Sequence, residues 1–311
     1  VAGLKIMAHK LFNTLFRGVG VPFALIYGLF LTGNHIIPAH ADAINTYCPL
    51  PGETFDTISA NAGVSVEALK AYNGLARLQA GDVLNLPPGS IAPDQWTSQR
   101  PGFSLDTLSA GLSGVFLAPD NRHKRVALTL DIGYNPRNIE LMHMLHDRGI
   151  HATFFVLGLS VTNHPEIVTD ILTDGHELGA LSWEHDDLTQ MTPDQVRSEF
   201  IRTEAAIHRA DPGATSRPYF RAPFGSINPT LRQIAAEQGY YLIGWTTDNQ
   251  DWRPGATADS IYAAVINHIC PGAIIVMHGY RSNNADALPH ILDTLAARGY
   301  QVVSLSELLH G

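Results

Sequence analysis

Residues 125–158 read RVALTLDIGYNPRNIELMHMLHDRGIHATFFVLG, and this stretch decides the fold. Arg125 to Leu130 is a short, strand-like run, almost wholly apolar, that ends on one carboxylate, Asp131. Such a run suits a strand covered on both faces. From Pro136 to Arg148, Ile139, Met142 and Leu145 fall on one side of a helix, with Ile150 beyond Gly149 completing it. Ala152 to Leu157 is the next strand, so the segment is one β-α-β unit.

The alternation continues to the end of the sequence. Helices are expected at Pro165–Thr173, at Pro193–Arg209 behind a Thr192 cap, and near 229–238, 258–269 and 287–298. Strands are expected at Glu177–Leu181, Tyr219–Arg221, Tyr240–Trp245, Ala273–Met277 and Gln301–Ser304. About seven such units predict an α/β fold, a parallel β/α barrel rather than an open sheet. In a barrel the strand C-termini form one rim. Asp131, His185, Arg221, Asp248, Asp251 and His278 all follow strands, so they should converge there. Acids, a base and an arginine on one rim are compatible with hydrolysis, although each alone more often serves as a structural hydrogen-bonding group.

Ahead of the barrel, residues 45–88 form a smaller unit in the order β-α-α-β. Thr46–Leu50 and Val83–Leu86 are its strands, and Thr54–Ala62 and Ser65–Asn73 its helices. Ser65 is the N-cap of the second helix and Asn73-Gly74 its stop. Pro, Gly and Ser density from Pro87 to Gly102 predicts a linker over 89–120, which leaves 121–311 for the barrel.

At the start, Lys5, Lys10 and Arg17 precede an apolar run from Val19 to Leu31, and Pro38-Ala39-His40-Ala41 follows. This predicts a secretory signal peptide, cleaved near Ala41, with an uncleaved anchor as the alternative and the only route to a membrane. The formal net charge is −9, and the first 41 residues hold Lys5, Lys10 and Arg17 and no acid, so the remainder is more acidic still. An acidic remainder is unsuited to nucleic acid or anionic lipid and compatible with a neutral glycan. The two cysteines, Cys48 and Cys270, are far apart in the chain. In an exported protein they could pair, or each could be a buried thiol.

Two resemblances sharpen this reading. PGETFDTISANAGVSVEALKAYNGL at 51–75, with GDVLNLP at 81–87, resembles a LysM module. LysM modules bind polymers of N-acetylglucosamine. The resemblance implies a shallow sugar groove at Pro51, Gly52, Glu53 and Thr54 and at Asn73 and Gly74. The alternative is that these residues only make turns. LTLDIGYN, ATFFVLG, GHELGALSWEHDDLT, YFRAPFG, DNQDW and IIVMHG follow in the order of the NodB-homology polysaccharide deacetylases, the family-four carbohydrate esterases. That resemblance implies a distorted β/α barrel that removes acetyl groups from N-acetylglucosamine polymers. It makes Asp131 the base, Arg221 its partner, the Phe224 amide the oxyanion donor and His278 the general acid. Asp251 orients that acid, and Trp252 packs beside it.

The metal site departs from the pattern. Family members hold a divalent metal, usually zinc, with one Asp and two His. Here those positions are Ile132, Leu181 and His185, so only His185 can ligate. No cofactor is therefore expected with assurance. The two aliphatic residues are expected to touch where the ion would sit, and Glu184, Asp186 and Asp187 are the candidates for a shifted site. Three functions remain open: a deacetylase with a rearranged or absent metal, a catalytically inactive glycan binder of the envelope, and a purely structural protein.

Overall fold

The computed structural model describes residues 46–49, 53–78, 84–91, 96, 123–279 and 282–310. The expected signal peptide and Pro51, Gly52 and Val83 lie outside the described residues, as does most of the expected linker.

The small unit has the expected order. Strand β1 (Thr46–Tyr47) pairs antiparallel with β2 (Leu84–Asn85), and helices α1 (Phe55–Ala62) and α2 (Val66–Asn73) lie between them in sequence. Thr54 caps α1 in a reciprocal capping box with Thr57. Ser65 caps α2 through the Ala68 amide, and Gly74 ends α2 in the left-handed conformation. Tyr47, Phe55, Ile58, Leu69, Leu84 and Trp96 are core residues here. Trp96 corrects the linker boundary: its ring lies 4.7 Å from that of Tyr47, and its indole N–H donates to the Ile91 carbonyl. Ile91 in turn donates its amide to Ala62. The unit therefore extends past residue 88. Proline and glycine density marked a turn there, not a departure from the core.

The large unit comprises β3 (Arg125–Ile132), α3 (Pro136–Asp147), β4 (Thr153–Val156), α4 (Gly158–Asn163), α5 (Glu166–Thr173), β5 (Glu177–Ala180) and α6 (Pro193–Ala210). It continues through β6 (Tyr219–Phe220), α7 (Pro229–Glu237), β7 (Tyr241–Leu242), β8 (Thr247–Asp248), α8 (Ala258–Ile266), β9 (Ile274–His278), α9 (Ser282–Ala297), β10 (Gln301–Val303) and α10 (Leu305–His310). Every pairing among β3 to β10 is parallel. The hydrogen-bonded order is β7-β6-β5-β4-β3-β9-β8, with β10 joined to the first residues of β3. The sheet is a distorted β/α barrel whose ladder ends at β7 and β8, instead of the closed ring that the repeat count suggests.

Alternation along β3 builds two layers. Val126, Leu128, Leu130 and Ile132 join the large cluster beneath the helices. Ala127 joins Phe155, Leu181, Tyr219, Ile243 and Ile274 in the barrel interior. Leu305, Leu308 and Leu309 of α10 belong to the same interior cluster. The Leu305 amide donates to the hydroxyl of Thr153, the first residue of β4, so α10 plugs the floor at the strand N-termini. That plug leaves the opposite rim for polar chemistry.

Helix α4, helix α10 and strand β8 are absent from the expected elements, and α9 begins earlier than expected. Leu305→Ala removes a fully buried plug residue. It should lower unfolding free energy by about 2–5 kcal/mol in urea titration, without a change in denaturant slope.

Candidate active site

The rim is assembled by strand register. Asp131 lies directly opposite His278 across the β3–β9 ladder. Arg221 follows β6, donating its amide to Ala180 of β5, and Asp248 ends β8 opposite Val276 of β9. A Cβ on Gly279 would run into Asn138 and Ile132, so only glycine lets the chain leave β9 this close to α3.

Arg221 is wholly buried. Its guanidinium donates to Asp131 Oδ1 at 2.7 Å and to the carbonyls of Ile243 and Gly244, and lies 4.2 Å from the centre of the Phe155 ring. The charge is thus paired, hydrogen-bonded and stacked, as a buried guanidinium must be.

A second pair stands beside it. His278 Nδ1 and Asp251 Oδ1 are 2.7 Å apart, and the His278 amide donates to Asp251 Oδ2. Asn284 donates to the same carboxylate and to the His278 carbonyl, and Asn249 donates to Asn284. Burial pushes the His278 pKa down. The Asp251 hydrogen bond, then the charges of Asp131, Asp251 and Asp248, outweigh it and hold the imidazolium above its ordinary range. Burial likewise raises Asp251, but its bonds to His278 and Asn284 bring it below the usual carboxylate range. His185 differs. Burial dominates, the His278 charge adds to it, and the opposing Asp131 charge does not restore the imidazolium, so the ring is held toward neutral. The charges of Asp131 and His278 both act on His185, so the three lie on the same part of the rim.

Phe224 and Trp252 are exposed on rim loops. Phe224 has φ 59° inside the turn Pro223–Gly225, and its ring stands edge-on to His185 with centroids 4.8 Å apart. Trp252 donates its indole N–H to Asp248, 3.1 Å from Oδ2, with the Arg253 guanidinium over its ring. Ser182, His185, Phe224 and Gln250 are the non-glycine residues with positive φ among the described residues. All four lie on rim loops, and backbone strain of this kind gathers where a site must be held in shape.

The metal positions are occupied differently from the expectation. Ile132 lies in the helix-side cluster and Leu181 in the interior cluster, so the two belong to different apolar layers. They carry no donor atom. Among the described residues no three His, Cys, Asp or Glu side chains are gathered as an ion requires, Glu184, Asp186 and Asp187 included. Asp187 instead accepts from the amide and hydroxyl of Thr189. The donor set does not fit a zinc ion held by three protein ligands.

In the small unit, the expected groove residues carry structural duties. Thr54 caps α1, and Glu53 accepts from the Tyr47 hydroxyl. Asn73 reaches from α2 to clamp β2: its amide donates to the carbonyls of Leu69 and Asn85, and its oxygen accepts from the Asn85 amide at 2.7 Å.

Asn249 and Asn284 are the site residues that sequence reading did not identify. Asn249 sits within DNQDW, but Asn284 lies in a polar stretch at the head of α9 with no distinguishing pattern.

Comparison with known proteins agrees with this geometry. The LysM domain profile matches residues 51–87 and the polysaccharide deacetylase profile residues 118–243. The chain belongs to the polysaccharide deacetylase family and carries a LysM domain. A chitooligosaccharide deacetylase from Bradyrhizobium sp. is 32% identical, over 60% of this chain and 90% of that protein. A peptidoglycan-N-acetylglucosamine deacetylase from Bacillus cereus is 28% identical, over 79% and 92% of the respective chains. Among solved structures, a CE4 family pseudoenzyme from Bacillus anthracis superposes with a TM-score of 0.61 at 27% identity, covering 67% of this chain and 72% of that one. A mutant of that pseudoenzyme, described as having restored enzymatic activity, superposes with the same TM-score at 25% identity, over 78% and 84% of the chains.

The Asp251 pairing predicts a titration. In Asp251→Asn the His278 ring loses its hydrogen-bonded carboxylate, while the charges of Asp131 and Asp248 remain. Its pKa, followed by NMR of labelled histidine, should be lower in the variant than in the parent. The raised pKa stabilises the parent at low pH, and that contribution is lost as pH rises through the folded-state pKa. The variant should show less of this dependence.

Proposed function

We propose that the protein is an exported cell-envelope protein that binds N-acetylglucosamine polymers through its LysM domain. Its deacetylase-like barrel has kept the acid–base groups of the family and lost the metal. One observation carries this reading: the Asp251–His278 pair stands intact opposite Asp131 on the rim, where Ile132 and Leu181 offer no donor. Export is supported by the leader-like N-terminus and by the disulfide between Cys48 and Cys270, since such bonds persist in oxidising compartments.

What the rim residues can do follows from their placement. Asp131, fixed by Arg221, is placed to take a proton from water, and His278 is placed to give one to a leaving amine. Acid–base catalysis of this kind contributes typically 10²–10⁴-fold. Water that is not bound to a metal keeps a pKa near 15.7, so the nucleophile is poor. Hydrolysis of N-acetyl groups is therefore weak and indifferent to chelators. The second reading, an inactive glycan-binding rim, is favoured by the likeness to a pseudoenzyme. Acetate release from chitin oligomers separates the two. Slow release that survives EDTA and drops at least about 10²-fold in Asp131→Asn supports residual chemistry. No release above background in the parent supports the binding-only rim. Robust release abolished by EDTA is incompatible with both.

Two further outcomes are expected. The purified protein should carry no stoichiometric zinc by elemental analysis. Ile132→Asp with Leu181→His should bind about one zinc per chain and gain acetate-releasing activity when zinc is added. Removing residues 45–96, with Cys270→Ser to avoid a lone thiol, should abolish pull-down by insoluble peptidoglycan or chitin. Unchanged retention would place glycan binding elsewhere.

A further inference from the structure

Tyr134 and His164 form a second exposed structure on the rim, apart from the acid–base pairs. Tyr134 lies in the loop that leaves β3, and His164 ends α4, which follows β4, so both stand at strand C-termini. Their rings are stacked, with centroids 3.6 Å apart and planes 8° from parallel. The loop bearing Tyr134 passes directly against α4, since a Cβ on Gly133 would come within 3.3 Å of the Ser160 hydroxyl. Leu159 of α4 is also exposed, and its amide donates to the Trp183 carbonyl in the loop that carries His185. None of Tyr134, Leu159 and His164 belongs to an apolar cluster of the barrel. Tyr134 keeps 40% of its surface exposed although His164 covers one face of its ring. The stack is nevertheless held in place. On one side of Tyr134 the Gly133 carbonyl accepts from buried Asn138, and on the other Asn135 caps α3 by accepting the Arg137 amide. The His164 amide donates to Ser160, and its Nδ1 lies 3.2 Å from Glu166 Oε1.

A flat, half-exposed aromatic ring that is already ordered suits the C–H face of a pyranose, and the tyrosine hydroxyl supplies a polar edge. A nucleotide base would stack as well, but a net charge of −9 repels its phosphates. Position ties the stack to the acid–base groups. Tyr134 is three residues beyond Asp131, so their Cα atoms are at most about 11 Å apart. In ladder order the exposed rings are Phe224 after β6, the Tyr134–His164 stack after β3 and β4, and Trp252 after β8. We infer that Tyr134, stacked on His164, is a sugar subsite of the rim. It holds one N-acetylglucosamine unit of a polymer while another unit of the same polymer lies at Asp131 and His278. This rests on the reading that the rim takes such polymers. The subsite makes the rim favour oligomers over the single sugar, because a second unit adds its stacking without a second association.

The test titrates the full protein, with ring-labelled histidine, with N-acetylglucosamine and with chitotetraose, followed by NMR. Residues 45–122 hold no histidine, so the histidine signals report on the barrel and not on sugar bound to the LysM domain. The His164 and His278 signals are assigned with His164→Gln and His278→Gln. In the parent, chitotetraose should shift both signals along one binding curve. Tyr134→Ala should weaken chitotetraose binding read at His278 at least fivefold and leave the N-acetylglucosamine curve within twofold. Tyr134→Phe keeps the ring and should stay within twofold of the parent for both ligands. If chitotetraose shifts His278 but leaves His164 unmoved in the parent, the inference fails while the functional reading stands, and this result needs no variant to fold. An unchanged chitotetraose curve in Tyr134→Ala has the same meaning. An equal loss for the single sugar and the tetramer also overturns the inference, because Tyr134 would then shape the Asp131 rim and hold no second sugar. If chitotetraose shifts no histidine signal, the reading of the rim has failed and the inference falls with it.

Discussion

The Arg221 guanidinium is a permanent charge with no exposed surface, and the upper barrel is arranged around it. The ladder does not close between β7 and β8, so side chains hold the rim where backbone pairing stops. Arg221 does this from the end of β6. It binds Asp131 of β3, the carbonyls of Ile243 and Gly244 in the β7–β8 connection, and the ring of Phe155 from β4. Removing one partner of such a pair leaves a buried, uncompensated charge, at a cost of about 3–5 kcal/mol. The position of the Asp131 carboxylate on the rim depends on this contact.

The rim and the floor divide the labour. At the floor, apolar α10 residues, the Thr153–Leu305 contact and the Cys48–Cys270 link satisfy stability. At the rim, the chain accepts strained backbone at Ser182, His185, Phe224 and Gln250 and buries carboxylates beside imidazoles. A protein with no use for the rim could have filled it as it filled the floor.

Much of this was legible in the sequence because it is written in local pattern. The run ending at Asp131 and the strings around Arg221, Asp251 and His278 gave strands and their terminal residues, and parallel register then brought those residues together. What escaped depends on distant partners. The α10 plug, LSELLH, is too short to show a helical period, and its identity comes from the barrel interior that it fills. Strand β8 is two residues long and lies against β9, so its strand character is set by a neighbour and not by its own composition. Helix α9 was read short because Pro289 sits inside it and its first turns are polar. The asparagines around Asp251 are ordinary in sequence and become meaningful only as a hydrogen-bond network. Trp96 lies in a stretch that reads as linker, and its burial comes from packing against the Tyr47 ring, distant in sequence. The pairing of Cys48 with Cys270 needed the spatial fold, since sequence separation carries no information on contact.

The two ion pairs differ as evidence for function. Asp131–Arg221 is required by the fold, because neither charge can be left alone in the barrel, and its presence would be expected even in an inert scaffold. His278 is another matter. Its Nδ1 is bound to Asp251, while the ring keeps some exposure at the rim and is held above its ordinary pKa. A position needed only for packing could hold a neutral amide or an apolar residue, without a buried carboxylate on its ring and two asparagines holding that carboxylate in place. Ile132 and Leu181 have each joined an apolar layer of the barrel. The core needs no donor at either position, whereas it needs the Asp131–Arg221 contact. The His278–Asp251–Asn284 network is the part of the rim that neither requirement explains, and so it carries the argument that this surface still handles a proton or a polar ligand.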